Sequence, residues 1–143
     1  MSADNVELAR RWLERLNAVG RTEPRGFDPE QAFGELWQRI DADAQLLGRP
    51  DVPDSSDYRG REGFAEFLQM IAEVFGEIRW EPLEFIDCGD AVVVVTKVVA
   101  VGRGSDVPVE MDETDVIWFR DGVLVRVAGF ATREEGMAAV GAG

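Results

Sequence analysis

From Val92 to Phe130 the chain reads VVVVTKVVAVGRGSDVPVEMDETDVIWFRDGVLVRVAGF, three runs rich in Val, Ile, Phe and Trp separated by Gly-Arg-Gly-Ser-Asp and Arg-Asp-Gly. β-Branched and aromatic residues at alternate positions suit a pleated surface, and the glycine-bearing segments supply the positive φ that tight reversals require. This block predicts an antiparallel meander. One acid interrupts it: Asp115, whose period-2 neighbours Ile117 and Phe119 share its face.

The preceding residues read as helices. Ala9, Trp12, Leu13 and Leu16 recur at helical spacing over Asn5–Val19, with Gly20 as the stop. Asp28-Pro29 is an N-cap followed by a first-turn proline, and Phe33, Leu36, Trp37 and Ile40 continue one apolar face. Asp41 to Tyr58, with two prolines and five aspartates, predicts a loop around a short strand at Ala44–Leu47. Gly60–Phe75 returns to helix with a wide stripe of Phe64, Phe67, Leu68, Ile71 and Phe75. Strands are expected over Trp80–Asp87, Ala91–Arg103, Val107–Arg120 and Val123–Phe130. Thr132 and Glu135 then form a capping box for a tail helix ending near Gly141. Helices first and a bent antiparallel sheet afterwards describe an α+β fold, in one domain over residues 1–143. A chain of this size buries roughly 68–70% of what its unfolded form exposes.

Composition excludes several function classes. A net charge of −13 leaves no basic stripe for nucleic acid and disfavours anionic membranes, and no apolar run approaches a membrane span. With no histidine, Ser-His and Cys-His catalysis and His-built metal sites are ruled out. The single cysteine, Cys88, has no internal disulfide partner, and the N-terminus lacks a signal-peptide core, so a cytoplasmic protein is expected. Acid–base work falls to carboxylates, Tyr58 or the one lysine, Lys97.

Tyr58-Arg-Gly-Arg-Glu-Gly63 before an amphipathic helix, Asp87-Cys-Gly-Asp90, Gly102-Arg-Gly-Ser-Asp-Val-Pro-Val-Glu110, Trp118-Phe-Arg-Asp-Gly122 and Arg133-Glu-Glu follow one another in an order that resembles the SnoaL-like family. That family belongs to the cone-shaped nuclear transport factor 2 and ketosteroid isomerase superfamily. The resemblance covers nearly the whole chain and implies a curved, mostly antiparallel sheet wrapped over N-terminal helices. The superfamily contains isomerases, polyketide cyclases and dehydratases as well as members that only bind or dimerise, so the fold alone does not choose. Asp115-Val-Ile-Trp-Phe119 is similar to the isomerase strand whose protonated aspartate donates to the substrate oxyanion, and Asp115 takes that role by resemblance. The isomerase's tyrosine is matched by Trp12, and its general base falls near Gly48, so both partners are missing at their usual places. No metal or organic cofactor is implied.

Strand geometry adds a constraint of its own. Centring the long hairpin on Gly104-Ser105 is read as setting Lys97 opposite Glu113 and Val95 opposite Asp115, all on one face with Val93, Val99, Met111, Ile117 and Phe119. That face is expected to line an apolar pocket, closed by Trp12 and Tyr58, with Lys97, Glu113 and Asp115 as its polar groups. A one-residue slip in register would exchange the faces. The other face, with Val116 and Trp118 beside Val94 and Val98, is the expected homodimer contact. Two functions remain open: a cofactor-independent isomerase, cyclase or dehydratase moving a proton next to a carbonyl of a small apolar or polycyclic substrate, or a non-catalytic module binding such a ligand.

Overall fold

The valine-rich last third folds as its alternation requires, and the chain before it supplies what the strands wrap around. The computed structural model describes residues 2–19, 28–49 and 57–142. They form, in order, α1 (Ser2–Val19), α2 (Pro29–Phe33), α3 (Glu35–Gln38), β1 (Ile40–Leu47), β2 (Tyr58–Arg59), α4 (Gly60–Val74), β3 (Phe75–Cys88), β4 (Ala91–Gly102), β5 (Val109–Arg120), β6 (Val123–Phe130) and α5 (Arg133–Ala142). The strands make one sheet in the order β2-β1-β6-β5-β4-β3, antiparallel except where β1 runs parallel to β6. Bulges in β3 at Phe75/Glu77 and Pro82/Glu84, and between β5 and β6 at Trp118/Phe119, bend it. The α+β cone is therefore as expected.

Differences from the sequence reading have local causes. The second helix does not run through to Ile40, because Gly34 takes φ 59° and ψ −132°, a conformation open to glycine, and divides it into α2 and α3. Asp28 caps α2 as its position predicts, accepting from the Glu30 amide at 3.1 Å. Ile40 begins β1, which is longer than the strand expected at Ala44–Leu47, and Tyr58–Arg59, read as loop, adds a short antiparallel strand to it. β3 starts at Phe75 rather than Trp80, since the helix before it ends in the extended conformation of Phe75. The expected stop at Gly20 lies outside the described residues.

The register of β4 against β5 corrects the facing of one whole strand. Lys97 pairs with Asp112, Val94 with Asp115 and Thr96 with Glu113. A hairpin centred between Gly104 and Ser105, rather than on either residue, pairs even positions with odd ones, so the expected pairs are off by one. Inward side chains of β5 are the odd ones, as read, but those of β4 are Val92, Val94, Thr96 and Val98. Val95 and Lys97, expected in the pocket, lie on the outer face with Val93 and Val99. There Lys97 pairs with Glu110 at 3.2 Å, both well exposed, an interaction worth under ~1 kcal/mol.

Two apolar layers result. Inside the curve, Trp12, Phe33, Trp37, Phe64, Leu68 and Ile71 of the helices pack on Val92, Val94, Val98, Ile117 and Phe119. Outside, α5 covers Ala91, Val93 and Val116 with Met137 and Val140. A side chain at Gly136 would place its Cβ 2.6 Å from Thr114 Cγ2, so α5 sits this close only because that position is glycine. The Glu135 amide donates to Thr132 Oγ1 at 3.1 Å, closing half of the predicted capping box. Val94 and Val98 face inward and Val116 is under α5, so of the expected homodimer patch Trp118 alone keeps part of its surface exposed.

β3 is an edge strand, and the outward backbone of Trp80 would be an open pairing site. Asn17 of α1 closes it: the Trp80 amide donates to Asn17 Oδ1 at 2.7 Å and Asn17 Nδ2 donates to the Trp80 carbonyl at 3.0 Å. One side chain thereby ties the first helix to the sheet. Asn17→Ala strands both groups and is expected to lower stability by about 1–3 kcal/mol, read as a lower urea midpoint with an unchanged slope.

Candidate functional site

Between the helices and the concave sheet lies a cavity of about 480 Å³, within the usual range for small-molecule sites. Its helical wall is aromatic for reasons of spacing. Trp12 on α1, Phe33 on α2 and Phe64 on α4 each occupy the inward stripe of their helix, and their ring centroids lie 5.1 to 5.8 Å apart. Tyr58, on the short strand β2, stands against Phe67 at 5.7 Å. Trp80, Val94, Ile117, Leu124 and Val127 form the sheet wall. Met70 and Met111, 37% and 45% exposed, mark where the cavity meets solvent.

Among the described residues, two carboxyl groups and one guanidinium stand against this apolar lining: Glu113 and Asp115 of β5, and Arg49, two residues past the end of β1. Period 2 puts both acids on the inner face, one pleat apart. The parallel pairing of Leu47 with Ala128 carries Arg49 past β6 toward them. Its Nη1 lies 3.7 Å from Glu113 Oε1, with the two side chains only 13% and 16% exposed, and 3.5 Å from the Asp112 carbonyl. Glu113 is further held by its backbone, whose carbonyl accepts from Thr96 Oγ1 at 3.0 Å; Thr96 itself is fully buried.

Asp115 has no room to be charged cheaply. Burial first, then the Glu113 carboxylate beside it, then a hydrogen bond between the two carboxyls push its pKa well above the ordinary value near 3.8, and Arg49 opposes them. A like charge this close disfavours ionising the second carboxyl, so Asp115 is biased toward its neutral form. The cluster then comprises an acid biased toward the neutral form, a second carboxyl and an arginine. A protonated carboxyl can donate to a carbonyl oxygen while the carboxylate next to it accepts a proton from carbon.

Of the residues expected to meet at the site, Trp12, Tyr58, Met111, Glu113, Asp115 and Ile117 line the cavity, whereas Val95 and Lys97 do not. Arg49 was missed, and Gly48 beside it, the matched position of the isomerase's base, also lines the cavity. Asp57, one of the loop acids, accepts the Gly48 amide at 3.0 Å; Asp51 and Asp54 lie outside the described residues. Among the described residues no group of three or more Cys, Asp or Glu is placed to hold a metal ion, and no helix is long and apolar enough to cross a membrane.

The model of the SnoaL-like domain matches residues 9–127. The chain belongs to the SnoaL-like family. Among solved structures it is similar to an NTF2-like protein of Burkholderia xenovorans, at 17% identity and a TM-score of 0.71 over 98% of both chains. It is also similar to a putative SnoaL-like polyketide cyclase of Jannaschia, at 17% identity and a TM-score of 0.71 over 99% of this chain and 94% of that one. A third has the ketosteroid isomerase-like fold and comes from Catenulispora acidiphila, solved in complex with trimethylamine: 14% identity, TM-score 0.68, 94% and 92% covered. At these identities the likeness is one of fold. A comparison with curated proteins found no match.

The raised pKa of Asp115 has a sign that can be checked. A carboxyl whose folded value exceeds its unfolded value contributes its full stability below the unfolded pKa of ~3.9 and loses it as pH rises through the folded value. Asp115→Asn removes that loss. The variant is expected to melt a few degrees above the wild type at pH 7, with the gap closing as pH falls below ~4, measured by thermal melts across pH.

Proposed function

We propose that the cavity binds a small, uncharged, largely apolar molecule bearing a carbonyl group, and that Asp115 and Glu113 move a proton on the carbon beside it. The observation that carries this reading is the pair of carboxyls, one held neutral, at the polar end of an otherwise apolar cavity. Asp115 donates a hydrogen bond to the carbonyl oxygen, where negative charge develops as Glu113 takes a proton from the adjacent carbon. Return of that proton to a different carbon gives an isomerisation. Its transfer to a departing hydroxyl gives water and a dehydration. In either case the protein ends with the protons it began with. Arg49 lies 3.7 Å from Glu113 and orients it.

Size narrows the ligand. A cavity of 150 Å³ accepts one benzene ring, so 480 Å³ accommodates about three such rings, and the Trp12, Phe33 and Phe64 faces favour flat ones. The reading that the same cavity only binds is supported by the mismatch of Trp12 and Gly48 with the isomerase's tyrosine and base.

The test is proton exchange in D₂O. With a panel of two- and three-ring ketones, the protein is expected to speed deuterium incorporation beside the carbonyl, followed by NMR. Asp115→Asn and Glu113→Gln should each slow it by about 10²- to 10⁴-fold. Ligands that bind the wild type without any exchange above buffer would leave a binding module and overturn the catalytic reading.

A further inference from the structure

Arg49 reaches the acid pair by crossing a strand, and the crossing point is a residue with no side chain. Gly129 of β6 pairs across the sheet with Asp115 and is buried against the cavity. A Cβ built on it would lie 3.1 Å from Arg49 Cγ, 3.4 Å from Asp115 Oδ1 and 3.9 Å from Arg49 Cδ. The first distance is shorter than side chains ordinarily tolerate; the second is ordinary contact. Its φ lies outside the left-handed region, so backbone freedom does not explain a glycine here. What the missing side chain leaves is a slot the width of an arginine stem, with Glu113 at its far end. Every other cavity position on the sheet except Gly48 carries a side chain.

We infer that Gly129 is a positioning residue for the site: its bare Cα is the channel along which Arg49 lies, and a single methyl group there lifts the guanidinium away from Glu113 and Asp115. The inference rests on the reading that Arg49, Glu113 and Asp115 work as one cluster, but its geometry does not depend on turnover. Displacing Arg49 Cγ from this slot draws Nη1 off Glu113 and the Asp112 carbonyl, because the stem runs between the backbone just past β1 and these two groups. Among the described residues, the charged groups that act on Asp115 are Glu113 from its own strand and Arg49 from beyond β1. The side chains of Asp112 and Lys97 are on the far face of the sheet.

Titration separates positioning from packing. Arg49 lowers the Asp115 pKa, so Arg49→Ala raises it further, and Gly129→Ala is expected to raise it in the same direction by a comparable amount. In the Arg49→Ala background Gly129→Ala should add little, because the tight contact, with Arg49 Cγ, is gone and only the ordinary one with Asp115 Oδ1 remains. The readout is the Asp115 side-chain carboxyl followed by NMR through pH, assigned with Asp115→Asn. A Gly129→Ala protein titrating like the wild type, or one shifting Asp115 equally with and without Arg49, overturns the inference. Where Gly129→Ala alone fails to fold, Gly129→Ala with Arg49→Ala should fold as well as Arg49→Ala, and its failure to do so also overturns it. Failure of deuterium exchange with an intact pKa coupling would instead count against the catalytic reading and leave the positioning role standing.

Discussion

The pairing of β4 with β5 decides what this molecule can do, because a strand's side chains alternate and a shift of one residue sends every one of them to the opposite face. With Val94 against Asp115 and Thr96 against Glu113, the inner surface of the cone is valine and threonine on one strand and two acids on the next. Lys97 is then outside, where water and Glu110 satisfy it. Had the pairing been one residue different, an ammonium group would have faced the acids from within the cavity and favoured their ionised forms. The cation that does reach the acids is Arg49, which comes from beyond the end of β1 and lies against Glu113 at the cavity's edge.

What could be read from the residues followed the range of the interactions concerned. β5's inward set was legible because alternation along one strand needs no partner: Met111, Glu113, Asp115 and Ile117 all line the cavity. The aromatic stripes of α1 and α4 were legible for the same reason, since i, i+3 and i+4 spacing fixes a face by itself. The inward set of β4 was not, because it depends on whether the hairpin's centre falls on a residue or between two. Arg49 was further still from view. Its place follows from the parallel pairing of β1 with β6, which joins segments some eighty residues apart, and from a glycine on the partner strand. Nothing in Leu46-Leu47-Gly48-Arg49 distinguishes that arginine from its neighbours on the surface.

The site and the fold share supports at several points, so their energetics are not separable. Thr96 is fully buried and uses its hydroxyl on the carbonyl of Glu113, which is both a core hydrogen bond and an anchor for the acid. Asn17 fixes α1 against β3 within four residues of Leu13 and Leu16, which with Trp80 line the cavity. Trp12 belongs to the same helix, so that tie also helps to hold one side of the aromatic wall in place. Burying the acid pair opposes folding, in keeping with the general finding that functional groups sit in locally unfavourable surroundings sustained by the rest of the structure.

The long-range field and the local chemistry point the same way. A net charge of −13 surrounds the cone with negative potential, which raises the cost of ionising any further carboxyl and turns away anionic ligands before contact. Inside, Arg49 stands against Glu113, and Asp115 is biased toward its neutral form. A ligand carboxylate would compete with Glu113 for Arg49 and add a negative charge beside two carboxyls already set close together. A ligand cation would face Arg49. An uncharged molecule meets neither penalty and gains the full apolar burial of the aromatic wall. Under the proposed function, a preference for neutral ligands follows from the negative field and the paired charges as well as from the apolar surface around them.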